Sequence, residues 1–214
     1  MISTVIFDLD GLLADTEGLH RQAYRDVLGN YGVTVTDQEY EEHWIRQGKG
    51  ITEFLLERNL ALDPDTIRRN KSERYNELVR CSVRPMPGAL ELLAQLRSRK
   101  SLALASSSYP EAVAAVVAAL GIAACFQVIV SRGDVARVKP APDLFLLAAA
   151  KLGVTPAQCV VLEDAEKGIK AAVAAGMKCI AVPNEHTFNN DFSGATLVAG
   201  SLLEITPEVI DGLS

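Results

Sequence analysis

Carboxylates, a serine hydroxyl and a lysine follow apolar segments of this sequence at places where buried strands are expected to end. Short apolar runs rich in β-branched residues, such as TVIF and CVVL, are typical of strands that are covered on both faces. Because charged groups are costly to bury, the polar residues after such runs are either solvated turn formers or members of a cluster with a partner. They are Asp8 and Asp10 after TVIF, Ser106 after SLALA, Lys139 after QVIVS, and Glu163 and Asp164, which close CVVLED.

A cluster of these groups would suit the binding of Mg²⁺ and a phosphoryl group. Carboxylates that lie close together repel and take up protons unless a cation joins them. An oxygen-only donor set suits Mg²⁺, while Lys139 and Ser106 supply a positive charge and a hydrogen-bond donor for phosphate. Two carboxylates divide the chemistry of phosphoryl transfer between them, since one attacks phosphorus and the other handles the proton on the leaving oxygen. Asp8 and Asp10 fit that division.

The alternation of strand and helix from residue 84 onward predicts how these residues are brought together. Apolar strands alternate with helices, a pattern that is typical of βαβ units and of a parallel sheet with helices on both faces. In such sheets ligands bind beyond the carboxyl ends of the strands, near the point where the strand order reverses. We therefore predict an α/β fold with a doubly wound, Rossmann-like parallel sheet. Gly11 is expected to allow a tight turn close to the ligand.

Residues 15–83 differ in character, being charged and helical without a convincing strand. Thr36 is expected to start one helix that runs through Trp44, and Asp63 followed by Pro64 another. We interpret this region as a helical cap inserted after the first strand, so that residues 1–14 and 84–214 form the catalytic core.

Composition and charge exclude several functional classes. The 214 residues are 49% hydrophobic and 22% charged, as in ordinary globular enzymes. A net charge of −6 argues against a nucleic-acid partner, and no apolar run is long enough to span a bilayer, so no membrane partner is expected. The four cysteines are widely spaced, which favours small buried thiols in a reducing cytoplasm over a disulfide framework or a zinc site. We expect a cytoplasmic monomer.

Four segments together resemble a known family. FDLDGLLADTE, LASSS, KPAPDLF and LEDAEKGIKAA, in this order, resemble the four motifs of the haloacid dehalogenase (HAD) superfamily. The helical insertion resembles the cap of the group that contains β-phosphoglucomutase and many small sugar-phosphate phosphatases. The likeness spans essentially the whole chain, and it implies a HAD-like fold and Mg²⁺-dependent chemistry on a small phosphorylated metabolite.

The resemblance also implies a role for each residue of the predicted cluster. Asp8 would be the nucleophile, forming an aspartyl-phosphate, and Asp10 the general acid and base. Mg²⁺ would be held by Asp8, the backbone carbonyl of Asp10 and Asp164, with Glu163 joining directly or through water. The phosphoryl group would be bound by Ser106, Ser107 and Lys139. One departure from the family is Ala165, where many relatives have a hydroxyl residue.

Three functional classes remain open at this point. A phosphomonoesterase acting on a sugar phosphate is the leading one, and a phosphomutase of the β-phosphoglucomutase type shares all of its core motifs. A non-enzymatic receiver domain also gathers aspartates and a lysine, but it carries no large helical insertion. His20, Arg46 and Lys49 are the candidate substrate contacts of the cap. Two roles are equally open for Ser108, capping the helix after Pro110 and serving the site, and no chemistry is assigned to residues 184–191.

Overall fold

Six parallel strands form the sheet that carries the candidate residues in this computed structural model, which describes residues 1–213. The strand order is β5-β4-β1-β6-β7-β8, and β2 and β3 form a separate antiparallel pair. The predicted parallel α/β sheet is confirmed. The strands are β1 (Thr4–Phe7), β2 (Ala14–Asp15), β3 (Arg84–Pro85), β4 (Ser101–Ala105), β5 (Val128–Val130), β6 (Cys159–Glu163), β7 (Lys178–Ala181) and β8 (Leu197–Val198).

Nine α-helices and one π-helical segment, Glu41–Arg46, accompany the strands within the described residues. Two of them, α7 and α8, pack their apolar sides against the sheet in one buried cluster. The helices are α1 (Glu17–Gly29), α2 (Asp37–Tyr40), α3 (Ile51–Glu57), α4 (Pro64–Ser82), α5 (Ala89–Leu96), α6 (Pro110–Ala119), α7 (Asp143–Leu152), α8 (Glu166–Ala174) and α9 (Pro207–Gly212).

The register of the central strands sets the position of the acidic residues. Phe7 lies opposite Leu104 of β4 and Leu162 of β6, and all three side chains are fully buried. Each such buried side chain contributes about 1.5–3 kcal/mol to folding, so a shift in register would be costly. Because the apolar register is fixed in this way, Asp8 and Glu163 emerge at the same edge of the sheet.

The chain divides into two compact units. One comprises Met1–Asp15 together with the chain from Arg84 onward, and the other is Thr16–Val83. Asp15 belongs to the sheet-containing unit because it pairs with Arg84 in the β2–β3 ribbon.

The helical unit has its own apolar core and its own helix caps. The Thr36 hydroxyl accepts a hydrogen bond from the Glu39 amide, and the Glu39 carboxylate bonds back to the Thr36 amide. The Asp63 carboxylate caps α4 by accepting a hydrogen bond from the Thr66 amide. Both predicted helix starts are confirmed. The core is formed by Val27, Leu28, Val33, Val35, Tyr40, Ile51, Phe54, Leu55 and Ile67.

The helix predicted from Thr36 through Trp44 differs from the observed one. Its α-helical part ends at Tyr40, and the chain continues as the wider π-helical turn Glu41–Arg46. In this arrangement the Trp44 ring stacks on that of Tyr40 at 5.2 Å, and His43 Nε2 lies 2.9 Å from the Gly50 carbonyl oxygen. These inward contacts account for the departure from a regular α-helix.

The cysteines are only partly as predicted. Cys159 and Cys179 are buried, whereas Cys81 is exposed and Cys125 half-buried, and all four are free thiols. Burial raises the pKa of the Cys159 thiol to about 11. Within residues 1–213, no helix combines the length and the apolarity that crossing a bilayer would require.

Candidate active site

Three buried carboxylates from two neighbouring strands meet at the carboxyl edge of the sheet. Asp8 follows β1, Glu163 is the last residue of β6, and Asp164 comes next. One carboxylate oxygen from each lies within 4.8 Å of those of the other two, and all three residues are less than a tenth exposed. An oxygen-only donor set with this density of negative charge fits a hard divalent cation such as Mg²⁺.

Lys139 neutralises part of this charge. Its ammonium contacts Asp8 Oδ1 and donates to Glu163 Oε1 at 2.6 Å, and its side chain is 1% exposed. The ammonium also lies 4.8 Å from the centre of the Phe145 ring on α7. Three carboxylates against one ammonium leave two formal negative charges, which matches the charge of one divalent cation.

Glu163 is held at both of its oxygens. Oε1 accepts from Lys139, and Oε2 accepts from the backbone amides of Asp164 and Ala165 at 3.0 and 3.1 Å. Its carboxylate lies directly over Gly168 of α8, where a β-carbon would come within 1.8 Å of Oε1. The absence of a side chain at Gly168 is therefore what makes room for Glu163.

A Gly168→Ala variant should lose activity and stability together, because the added methyl group must displace the Glu163 carboxylate from Lys139. We expect a loss of about 2–4 kcal/mol in the free energy of unfolding, measured by chemical denaturation. Gly212→Ala is the matched control, since this helical glycine has nothing within 4 Å of the added carbon. Equal stability of the two variants would contradict the packing of Glu163 on Gly168.

Asp10 lies in the same region but is held by different partners. Its Oδ2 accepts hydrogen bonds from the Ser106 hydroxyl at 3.2 Å and from the Ser108 hydroxyl at 2.7 Å. Of the two roles left open for Ser108, the structure supports the one in the site, because Tyr109 occupies the position before helix α6 and the Ser108 hydroxyl donates to Asp10. Ser108 thus contacts the candidate acid and base directly, and its position in the SSS run after β4 was the signal for it.

Ser107 sits between these two serines with a different environment. Its carbonyl oxygen accepts from Arg132 Nε at 3.0 Å, while its hydroxyl is buried and has no hydrogen-bond partner within the described part of the chain. A buried hydroxyl without a partner is costly. Ser107 is therefore available to a polar ligand at the end of β4.

The turn after β1 meets a residue of the site that sequence reasoning missed. Gly11 has a φ of +81°, and a β-carbon on it would lie 2.5 Å from Asp164 Oδ2, so only glycine fits here. Asn184, which follows β7, donates to Asp164 Oδ2 at 2.8 Å. Asn184 lies in the 184–191 segment, to which the sequence assigned no chemistry.

The same segment also supplies a hydrogen bond at the start of helix α8. Ala165 precedes α8 and offers no side-chain cap. The Asn190 side chain instead accepts a hydrogen bond from the Glu166 amide at 3.0 Å. A side chain distant in sequence thus satisfies one of the amides that begin the helix.

Burial and mutual repulsion shift the ionisation of the carboxylates. Burial raises the pKa of Asp8 from 3.8 to about 7, with Lys139 opposing and Glu163 and Asp10 adding to the rise. Burial, Glu163 and Asp8 likewise raise the pKa of Asp164 well above its ordinary value. Burial alone would lower the pKa of Lys139, but the adjacent carboxylates outweigh it and raise that pKa.

These shifts predict how the stability of the metal-free protein depends on pH. Between pH 4 and 7 Asp8 stays protonated in the native state and ionises in the unfolded chain, so the native state binds more protons. Protonated Asp8 therefore stabilises the native state. This stabilisation adds up to about 4 kcal/mol to the free energy of unfolding, is fully present below pH 4 and is lost as the pH rises through 7. Denaturation in excess chelator should show the free energy of unfolding of Asp8→Asn rising relative to the wild type across this window. Glu185→Gln, which removes a surface carboxylate, is the control, and parallel profiles for Asp8→Asn and wild type would refute the shift.

His20 of the helical unit is packed against neighbours in that unit. Its ring stacks on Tyr75 at 4.0 Å, and its Nδ1 lies 2.6 Å from Lys71 Nζ. Because an ammonium only donates, Nδ1 is the acceptor in this contact.

Arg46 and Lys49 are paired with carboxylates of the helical unit. Arg46 is exposed and lies 3.7 Å from Glu42, and Lys49 Nζ lies 2.6 Å from Glu57 Oε1. Exposed pairs of this kind contribute little to stability, so both side chains can exchange these partners for a ligand at low cost.

Comparison with known proteins places this arrangement in a family. A family model described as haloacid dehalogenase-like hydrolase matches residues 2–176. Fructose-1-phosphate phosphatase YqaB of Escherichia coli (strain K12) is 39% identical over 179 residues, covering 83% of this chain and 95% of YqaB. CbbY from Rhodobacter sphaeroides, solved in complex with phosphate, has a TM-score of 0.88 at 33% identity, covering 99% of this chain and 100% of CbbY. The β-phosphoglucomutase structure from Clostridium difficile has a TM-score of 0.80 at 28% identity, covering 100% of this chain and 97% of the other.

Proposed function

Because the chain belongs to the haloacid dehalogenase-like hydrolases, we propose that it is a phosphatase that hydrolyses small sugar phosphates through a covalent intermediate on Asp8. The observation that carries the proposal is the buried cluster in which Lys139 joins Asp8 to Glu163 beside Asp164. The similarity to a fructose-1-phosphate phosphatase supports a sugar phosphate as substrate.

In the first step an oxygen of Asp8 attacks the phosphorus atom of the ester. The bond from phosphorus to the sugar oxygen breaks, and Asp10 gives its proton to that oxygen so that it leaves as an alcohol. The two serine hydroxyls on Asp10 Oδ2 fix the carboxyl group for this transfer. Lys139 holds Asp8 in place and offsets the negative charge of the phosphoryl group.

In the second step a water molecule attacks the phosphorus atom of the aspartyl-phosphate. Asp10, now ionised, takes a proton from that water, and the bond between phosphorus and Asp8 breaks. Inorganic phosphate leaves, Asp8 is again a carboxylate, and Asp10 is again protonated. The Ser107 hydroxyl at the end of β4 is proposed to donate a hydrogen bond to a phosphoryl oxygen, and Ser106 to join it when its single hydroxyl hydrogen turns from Asp10 to the phosphoryl group.

We propose that Asp8, Asp164 and the backbone carbonyl of Asp10 hold Mg²⁺, with Glu163 joining directly or through water. When bound, the ion offsets the charge of the carboxylates and of the phosphoryl oxygens. The raised pKa of Asp8 in the metal-free protein supports this need for a cation, since Asp8 must be ionised to attack.

The test is a panel of sugar, nucleotide and short-acid phosphates, assayed for free phosphate with Mg²⁺ and with excess chelator. We expect Mg²⁺-dependent release of phosphate, with sugar phosphates preferred. β-Glucose 1-phosphate separates hydrolysis from a mutase reaction, which would yield glucose 6-phosphate without free phosphate. Full activity in chelator would contradict the proposed dependence on Mg²⁺. Conversion of β-glucose 1-phosphate to glucose 6-phosphate would show that the enzyme is a mutase and not a phosphatase.

We further propose that His20, Arg46 and Lys49 contribute to substrate selection. Arg46→Ala and Lys49→Ala should raise KM for the preferred sugar phosphate by about tenfold while sparing a small aryl phosphate, because only binding to the remote part of the substrate is lost. Arg80→Ala, at the other end of the same unit's sequence, is the control. Equal effects on both substrates, or none, would contradict this role.

A further inference from the structure

Asn184 joins three parts of the sheet-containing unit that are far apart in sequence. It lies just beyond β7, and its side-chain nitrogen donates to the Gly11 carbonyl oxygen at 3.0 Å and to Asp164 Oδ2 at 2.8 Å. Both hydrogens of the amide group are used by these two acceptors. The turn after β1 and the acidic residue after β6 are therefore tied together through one neutral side chain.

Asn184 is itself fixed by the turn in which it sits. Its Oδ1 accepts the His186 amide at 2.8 Å, and its backbone amide donates to the Thr187 hydroxyl at 3.0 Å. The Asn184 carbonyl oxygen accepts the amides of Thr187 and Phe188. If the side-chain amide were rotated by 180°, its oxygen would face the oxygens of Gly11 and Asp164, and its nitrogen would face the donating amide of His186. Only the observed orientation therefore satisfies all three contacts.

We propose that Asn184 is a positioning residue that holds the Asp164 carboxylate in the orientation needed to bind the cation. A hydrogen bond to one oxygen fixes the rotation of the carboxylate and so the direction of the other oxygen. The bond to Gly11 keeps the turn that follows Asp10 in register with Asp164. This inference rests on the metal site of the proposed function.

Asn184 carries no charge, and this matters for its role in positioning Asp164. The cluster of three carboxylates already contains one ammonium, that of Lys139. A second fixed cation would neutralise Asp164 and compete with a divalent ion, whereas an amide orients the carboxylate and leaves its charge in place.

The test compares Mg²⁺ binding by wild type and two variants, measured by calorimetry on the metal-free full chain. Asn184→Ala should raise the Kd for Mg²⁺ by about tenfold, the effect typical of losing a partner of a metal ligand. Asn190→Ala is the matched control, because Asn190 belongs to the same segment and contacts the Glu166 amide. We expect the control to change the Kd less than twofold. If Asn184→Ala does not fold, Asn184→Ser replaces it with the same expectation, since serine can still accept the His186 amide in this turn.

The outcomes separate this inference from the proposed function. A tenfold rise in the Kd for Mg²⁺ that is confined to the Asn184 variant supports the positioning role. The KM of this variant for the substrate, measured at saturating Mg²⁺, should then equal that of the wild type. An unchanged Kd, or an equal rise in the Asn190 variant, would overturn it, as would a wild type that does not bind Mg²⁺. A wild type that binds Mg²⁺ but hydrolyses no phosphate ester would refute the proposed function alone.

Discussion

An Asp8→Asn variant should lose at least about four orders of magnitude in kcat, because an amide oxygen cannot serve as the nucleophile that attacks phosphorus. Asp8 ends a fully buried strand and is in contact with Lys139, so its position is set by the sheet as well as by the charges around it. Phosphate release from the preferred sugar phosphate and from an aryl phosphate measures the loss on both kinds of substrate.

The fold of this variant should be preserved. Asparagine has the shape of aspartate, and Lys139 keeps its second partner, Glu163. Circular dichroism and chemical denaturation in chelator should therefore show a folded protein near pH 4, where Asp8 is protonated in the wild type as well. Turnover of an aryl phosphate at a rate near that of the wild type would show that Asp8 is not the nucleophile.

Replacing Lys139 with methionine should destabilise the protein by about 3–5 kcal/mol and reduce kcat by at least about a thousandfold. The change removes the ammonium between Asp8 and Glu163, so the buried Glu163 carboxylate loses its ion-pair partner, and Asp8, whose pKa Lys139 holds down, takes up a proton at pH 7. Activity falls for a second reason, since the charge that would offset the phosphoryl group is gone. Chemical denaturation in chelator at pH 7 gives the stability, and phosphate release gives kcat.

A comparison with an exposed lysine makes the Lys139 result interpretable. Lys151 lies 3.7 Å from Asp134 with both side chains more than a third exposed, so Lys151→Met should cost less than about 1 kcal/mol. Adding Glu163→Gln to Lys139→Met should recover part of the lost stability, because it removes the buried charge that has lost its partner. A single Lys139 variant as stable as the Lys151 variant would mean that the buried charges are compensated elsewhere.

The sequence predicted the sheet and the meeting of its acidic residues for a simple physical reason. Apolar runs mark buried strands, and the carboxyl ends of parallel strands lie at one edge, so Asp8 and Glu163 had to come together once the fold class was known. The same pattern does not specify side-chain hydrogen bonds between loops. Its position in the chain left Ser108 open between capping a helix and serving the site, and only the structure shows its hydroxyl bonded to Asp10, 98 residues away in sequence.

Asn184 and Gly168 show two other kinds of information that periodicity does not carry. Asn184 follows a strand end, as Asp8 does, but a single neutral residue in a polar loop gives no signal of a partner 20 residues earlier. Gly168 lies within a helix, where glycine is usually unfavourable, and that exception was a usable indication of a close approach. The departure from α-helix at Glu41–Arg46 depends on packing contacts that become visible only in three dimensions.

The pairing of Asp15 with Arg84 in the β2–β3 ribbon has a consequence for how proteins of this kind can diversify. Paired residues of antiparallel strands lie about 5 Å apart, so the chain leaves the sheet-containing unit and re-enters it at almost the same point. A loop of two to five residues, roughly the length of an ordinary hairpin turn, would be enough to bridge that gap. Insertions of different lengths can therefore occupy this junction without moving β1 and Asp8, and if the helical unit selects the substrate as proposed, replacing this one contiguous stretch of sequence would change the selection.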